Sequence, residues 1–347
     1  MQPNSWCRNL SNKVRLLQRP DGNIGYQPCC WMHNTIPVSN KQNLETARIQ
    51  FSDMVMSDKE TYCSECIRRE KLNNNLSHRQ LVMQHVPDDA EHGDVNVLEL
   101  QIDTVCNAAC TICGPEFSSL WRKQLKINEP AVNESVKLYH MFDLHKITNI
   151  RLLGGEPMLS NDYIQLLKTI PNPENITVQY NTNGSIFPDS EMLKIWSNYK
   201  KIILIFSIDD IDQRFGYVRW PLRWNKVSQN FQFVKANLKN ADIGINCTVN
   251  AMSVYYIDQL QSWSNSVGNK KLKFSKCFGP WGLSACPDTV RSLVRQKLGH
   301  DHEICKILDQ EPHCPSATQA LVSMMNDFDT KRGTNWREIF AEIQQYF

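Results

Sequence analysis

Six short apolar runs, separated by helix-like segments, follow one another from about residue 95, and this alternation limits the fold more than any other feature of the chain. The runs are VNVLELQI (95–102), TNIRLL (148–153), ITVQYN (176–181), KIILIFSI (201–208), IGINCTV (243–249) and KLKFSKCF (271–278). Between them lie PEFSSLWRKQLKI, PMLSNDYIQLLKTI, SEMLKIWSNYKK, LRWNKVSQNFQFVKANL and VYYIDQLQSWSN. Several runs are β-branched and bounded by turn residues, as buried parallel strands are. Six β/α units imply an α/β fold with a parallel sheet, open or curled into a partial (β/α)6 barrel. In such sheets the chemistry gathers at the C-terminal ends of the strands.

The flanking segments do not share this pattern. Residues 1–75 are polar and turn-rich (RPDGNIG) and hold five cysteines, so they are expected to form a small Cys-rich domain stapled by a metal. Residues 76–94 read as a short helix and linker, 95–288 as the barrel, and 289–347 as a helical C-terminal extension. The extension ends in NWREIFAEIQQYF, whose Trp336, Ile339, Phe340 and Ile343 share one face and read as packing residues.

Cysteine is the unusual entry in the composition, at 13 of 347 residues. That density is below the roughly 8–10% of a disulfide scaffold. The sequence MQPNSWCRNLSNKV shows no apolar core of a secretory signal, and the expected location is cytoplasmic. Clustered thiols in a cytosolic chain more often bind metal than form disulfides. A formal net charge of +2 gives no global field to attract nucleic acid or a membrane surface, and no run approaches the ~20 apolar residues of a span.

Cys106-x3-Cys110-x2-Cys113 directly follows the first run. A structural zinc site is normally closed by four ligands, and iron–sulfur clusters usually take four cysteines. Three thiols in one loop therefore suggest a 4Fe–4S cluster with one iron open to a further ligand. A zinc site completed by a distant His, and an electron-transfer cluster with a remote fourth Cys, are the alternatives. The other strand ends are polar as well: Gly154-Gly155-Glu156-Pro157, Asn181-Thr182-Asn183-Gly184, Ser207-Ile208-Asp209-Asp210 and Thr248-Val249-Asn250. Two adjacent glycines permit close backbone approach, and a neighbouring carboxylate suits an ammonium group.

The order CNAACTIC, GGEP, NTNG, then SID followed by an arginine resembles the radical S-adenosylmethionine (SAM) superfamily over roughly residues 95–280. FSIDDIDQRFGYVRWPLRWNKVSQNF is similar to members with a Twitch or SPASM-like auxiliary-cluster domain. The resemblance implies a radical SAM partial barrel in which Cys106, Cys110 and Cys113 hold a 4Fe–4S cluster whose open iron is chelated by SAM. Gly154, Gly155 and Glu156 would then meet the methionine ammonium, and Ser207 and Arg219 its carboxylate, where a guanidinium has the right fork. Asn183 and Asn250 would lie nearer the ribose, and Ile112 against the adenine. The implied reaction is one-electron cleavage of SAM to methionine and a 5′-deoxyadenosyl radical, which takes hydrogen from a substrate such as a peptide, a protein side chain or a small molecule. Flavodoxin or ferredoxin would supply electrons. The cofactor carries the hard chemistry, and no conventional catalytic side chain is assigned.

At the N-terminus, PDGNIGYQPCC followed by YCSECIRRE resembles a Twitch-type auxiliary domain placed before the barrel. Cys7, Cys29, Cys63 and Cys66 would hold a second iron–sulfur cluster, with Cys30 alternate to Cys29 and structural zinc as the other occupant. Cys247, Cys277, Cys286, Cys305 and Cys314 read as packing or free thiols. His300-x-His302 near Cys305, and His313-Cys314, imitate ligand spacing without a need for it. The rival from another class is a non-catalytic iron–sulfur or zinc module that recognises a protein or nucleic acid.

Overall fold

The computed structural model describes residues 7–19, 21–32, 34–72, 77–84, 86, 93–128 and 141–347. Of the expected linker, residues 76, 85 and 87–92 lie outside the described residues, as does the beginning of the N-terminal segment, residues 1–6. All six expected runs form strands: β4 (Val97–Gln101), β5 (Asn149–Leu152), β6 (Thr177–Thr182), β7 (Lys201–Ser207), β8 (Ala241–Val249) and β9 (Leu272–Lys276). Three further strands precede them, β1 (Lys13–Gln18), β2 (Ile24–Tyr26) and β3 (Ile36–Pro37). Among the described residues no helix is long and apolar enough to cross a membrane.

The chain divides into two compact units. The first comprises residues 1–106, 122–181 and 188–203, and carries the strand order β3-β2-β1-β4-β5-β6 and the start of β7. The Cys-rich segment thus contributes three strands to this sheet. The turn at Asp21-Gly22-Asn23 reverses β1 into β2, and β1 pairs in parallel with β4. From β1 to β6 the register places Val14, Leu98, Ile150 and Val178 side by side, then Leu16, Leu100, Leu152 and Tyr180. All eight side chains are buried. Tyr180 meets Trp196 of the helix Ser190–Ser197 edge-on at 5.4 Å, so this apolar face is the one the helices cover.

Alternate residues point to the other face. There the register aligns Arg15, Glu99, Arg151 and Gln179. Glu99, 2% exposed, takes ion pairs from Lys13, Arg15 and Arg151, each at 2.8 Å. Arg15 also donates to Gln27 and Gln101, and Lys13 lies 3.3 Å from Nε2 of His78. Burial pushes the Glu99 carboxyl up, but Lys13, Arg151 and Arg15 outweigh it and hold it well below the usual carboxylate range.

The second unit comprises residues 107–121, 182–187 and 204–347, with the rest of β7 and the parallel pair β8–β9. Phe206 packs on Phe231 of the helix Trp224–Asn237 at 5.1 Å, and Trp224 on Trp263 of Ile257–Ser266 at 4.6 Å. The C-terminal extension is helical over Asp288–Leu298, Glu303–Asp309 and Pro315–Arg332. Buried Arg291 ties it together by donating to the carbonyls of Leu283, Cys286, Leu308 and Glu311. Trp336, Phe340 and Ile343 are buried, although only Trp336–Ile339 is α-helical in that stretch.

Removing the shared carboxylate strands two buried cations, Lys13 and Arg15, and the half-buried Arg151. Glu99→Gln is expected to destabilise the protein by about 3–5 kcal/mol at pH 7, read as a lower urea midpoint. Because the folded-state pKa is depressed, the Glu99 contribution is full above the unfolded carboxylate pKa, about 4.3. It is lost as pH falls below that, so the gap between wild type and variant should narrow in acid. Equal midpoints at pH 7 would show that the network does not hold the strands together.

Candidate active site

In the first unit, the segment after β4 runs through Asp103, Thr104 and Val105 to Cys106. The Gly-Gly-Glu turn after β5 lies directly against it. Gly155 N donates to Asp103 O at 3.0 Å, and Glu156 N to Val105 O at 2.8 Å. Gly154 has φ +132°, and a Cβ there would stand 2.3 Å from Asp103 O. A Cβ on Gly155 would stand 2.2 Å from Val105 O. Both glycines are therefore needed for backbone to lie on backbone beside the first thiol. Glu156 is 1% exposed, and its Oε1 accepts from Met158 N at 3.1 Å, capping the 3-10 turn that follows.

In the second unit the loop around Cys110 is pinned on every side. Ala109 N donates to Trp220 O and Thr111 N to Val218 O, both at 2.7 Å. These two bonds bracket Cys110 on one segment and Arg219 on the other, setting one residue opposite the other. Arg219 Nη1 then lies 4.0 Å from Cys110 Sγ. Ser118 donates to Ala108 O at 2.6 Å, and the Trp121 indole to Cys110 O at 2.8 Å. Cys113 is exposed, and its N–H closes a turn onto Cys110 O at 3.1 Å.

Arg219 is 8% exposed and pairs with buried Asp209 at 2.8 Å. Thr248 N donates to Asp209 Oδ1 at 2.7 Å, which fixes that carboxylate. Burial works against the Arg219 charge, but Asp209, Cys110 and Cys113 outweigh it and raise its pKa. Its Nε is buried without a hydrogen-bond partner. A fixed guanidinium with one spare donor, beside a thiol that must ionise to ligate, fits an anionic metal–thiolate centre.

The remaining expected contacts serve the loops. Asn183 donates to Asn107 Oδ1 at 2.9 Å and accepts from Ser185 N at 2.9 Å, while Asn107 donates to Ser185 at 2.8 Å. Asn183 thus braces the residue that follows Cys106. Asn250 accepts from Met252 N and Ser253 N, each at 3.1 Å, and donates to Thr248 O at 3.3 Å, forming the turn after β8. Ser207 is half-buried at the end of β7. Asp209, Trp121 and Arg332 were not singled out from the sequence. Asp209 stood in a quoted motif, but its pairing with an arginine ten residues on is a tertiary contact.

The N-terminal thiols fall into two groups within the first unit. Cys7 is buried; burial pushes its thiol up to about 11, with Cys63 and Cys66 close enough to add to the rise. Cys29, Cys30 and His78 form the second group, their ligand atoms within 4.8 Å of one another. Cys29 donates to the Cys30 sulfur, raising its own pKa and lowering that of Cys30. His78 is driven down to about 3, first by burial and then by the Lys13 charge. It is a neutral ring accepting from Lys13, so a metal on Nε2 would have to displace that ammonium.

Residues 101–257 match the profile of the Radical SAM superfamily. Members of that superfamily bind a 4Fe–4S cluster and SAM. A probable GTP 3′,8-cyclase of Thermoplasma volcanium is 34% identical over 91 residues, 26% of either chain. The GTP 3′,8-cyclase of Haemophilus ducreyi is 29% identical over 119 residues, 34% of either chain. The matches thus span about a quarter to a third of these relatives. A solved structure of anSMEcpe with bound AdoMet aligns with a TM-score of 0.44 and 18% identity over 63% of this chain and 62% of that one.

Gly155→Ala forces the Asp103–Val105 segment aside. It is expected to lower iron held by the triplet after anaerobic reconstitution while the N-terminal site keeps its metal. Overpacking of this kind costs about 1–3 kcal/mol, read as a lower melting temperature. Wild-type iron content and melting would show that the turn tolerates a methyl group.

Proposed function

We propose that the protein is a radical SAM enzyme that cleaves SAM reductively and uses the resulting radical to abstract hydrogen from a substrate. The observation that carries this reading is the setting of Cys110, locked opposite Arg219 in the loop of three thiols, inside the segment that matches the superfamily. Cys106, Cys110 and Cys113 would hold the 4Fe–4S cluster. When bound, cluster and SAM together supply one-electron cleavage to methionine and a 5′-deoxyadenosyl radical.

The chain's own part is to bind, orient and exclude water. The Ala109–Trp220 and Thr111–Val218 bonds fix the middle thiolate, and Asp209 fixes Arg219. Arg219 balances the negative charge of the thiolates, and its spare Nε, with Ser207, is assigned to the SAM carboxylate. Glu156 is assigned to the SAM ammonium. Asn183 and Asn250 shape the loops on which the ribose would rest. A second iron–sulfur cluster, in a Twitch-like arrangement, is assigned to Cys7, Cys29, Cys63 and Cys66, with Cys30 alternate to Cys29, a set that draws its ligands from both N-terminal thiol groups. Flavodoxin or ferredoxin is the class of electron donor, in the cytoplasm.

For the substrate we take a purine nucleoside triphosphate, with GTP as the first compound to test. The relatives named GTP 3′,8-cyclase support it, and so does the inner face of the first unit, where Lys13, Arg15 and Arg151 meet a single carboxylate. Arg151 keeps a buried Nε without a hydrogen-bond partner. Three cations on one carboxylate suit a phosphorylated ligand better than a neutral peptide or protein side chain.

With dithionite and SAM, the reconstituted protein is expected to release 5′-deoxyadenosine, and deuterated GTP to transfer its label into it. Cys110→Ala should reduce 5′-deoxyadenosine to background while the N-terminal metal remains. A colourless preparation holding stoichiometric zinc would instead support the binding-module reading. Label transfer from a peptide but not from GTP would keep the reaction and change the substrate.

A further inference from the structure

The helix Pro315–Arg332 lies outside the segment that matches the superfamily, yet its last residue reaches the cysteine loop. Arg332 Nη2 donates to Ala109 O at 2.8 Å. Its guanidinium carbon stands 4.3 Å from the Phe328 ring centroid and 5.1 Å from those of Trp121 and Trp220. Trp121 and Phe328 also touch each other, with centroids 5.5 Å apart. All these residues belong to the second unit.

Both tryptophan partners of Arg332 hold the loop in turn. Trp121 donates to Cys110 O, and Trp220 O accepts from Ala109 N. One cation therefore sits between two tryptophans that are each bonded to the backbone flanking the middle thiol, and bonds to that backbone itself. A cation within about 6 Å of a ring centroid is attracted by the ring's quadrupole, and a guanidinium can stack and donate at once where an ammonium cannot. Arg219 lies within the same exchange of backbone bonds, 4.0 Å from the Cys110 sulfur, so two cations stand at the Cys110 loop.

We propose that Arg332 is a positioning residue for the cysteine triplet. The C-terminal helix clamps Ala109 and Trp121 around Cys110 and holds a fixed positive charge beside the cluster, which retains the cluster and favours its reduced form. The retention and reduction parts rest on the radical SAM reading; the clamp does not.

Three variants and three measurements test this on the full chain. In the metal-free protein, Arg332→Gln should speed amide exchange across residues 108–113 and leave β8 and β9 at wild-type rates. Unchanged exchange in that loop would overturn the clamp whatever metal the protein holds. In the reconstituted protein, the EPR signal that responds to SAM identifies the triplet cluster. Arg332→Gln and Arg332→Met should shift its midpoint potential to more negative values and make it lose iron to a chelator about 10–100-fold faster, as loss of an outer partner does. Arg332→Lys keeps the charge, so it should restore the potential but not the retention. A wild-type potential in both neutral variants would overturn the charge role. If they do not fold, seen as loss of the N-terminal metal too, Arg332→Lys decides: wild-type iron retention in it would overturn the proposal. Absence of any SAM-responsive signal in the wild type defeats the proposed function instead, and leaves the exchange result to judge the clamp.

Discussion

One buried carboxylate, Glu99, joins the N-terminal strand to the sheet that carries the site. A lone carboxylate in that position would be far too costly to bury ionised, and so would Lys13 or Arg15 alone. Together with Arg151 they satisfy one another across β1, β4 and β5. Because β1 and β4 pair in parallel with Arg15 opposite Glu99, the ion network also fixes register. A one-residue slip would send the charges to the apolar face and Val14 and Leu16 to the polar one. The segment bearing Cys7 to Cys66 is thereby tied to the sheet that ends in the Cys106 loop.

The cysteine loop shows a second use of polar groups. Around Cys110 the backbone bonds are made to Trp220, Val218, Ser118, Trp121 and Arg332, so the loop owes its form to partners far along the chain. Such a loop does not need the metal to dictate its path, which is what a site that must accept a cluster and keep one coordination position open requires. Among the described residues, the buried nitrogens left without a hydrogen-bond partner at this loop include the Arg219 Nε and the Arg332 Nη1. Asn183 and Asn250, which from sequence alone resemble ligand contacts, spend their amides on turns.

What could be read from the sequence follows the range of each interaction. The six barrel strands were legible because apolar runs between turn residues are local patterns. The inner row was less so: Glu99 and Arg151 interrupt their runs, and only the register shows them opposite each other and Arg15. β1 was missed because KVRLLQ carries its charges on the face that pairs with Glu99, which makes a central strand look like a polar segment. The glycines of GGEP were noticed as a place for close approach, and the structure supplies the neighbour, the Asp103–Val105 backbone. Asp209 stood in a quoted motif without a role, since its partner Arg219 is fixed by tertiary bonds. Arg332 carried no local signal at all, being 222 residues from Cys110.

This distribution bears on where specificity resides. The segment that matches the superfamily, residues 101–257, holds the three thiols, the glycine turn, Asp209 and Arg219, the groups that the proposed function assigns to cluster and SAM. Of the inner-face ions, Lys13, Arg15 and Glu99 lie before that segment and only Arg151 lies within it. The Arg332 clamp lies after it. On that proposal the groups for cluster and SAM lie inside the segment that matches the superfamily, while three of the four inner-face ions lie outside it. If the proposed function holds, two proteins alike over residues 101–257 can share the cluster and SAM contacts and still differ in the charge that β1 and β4 bring to this face.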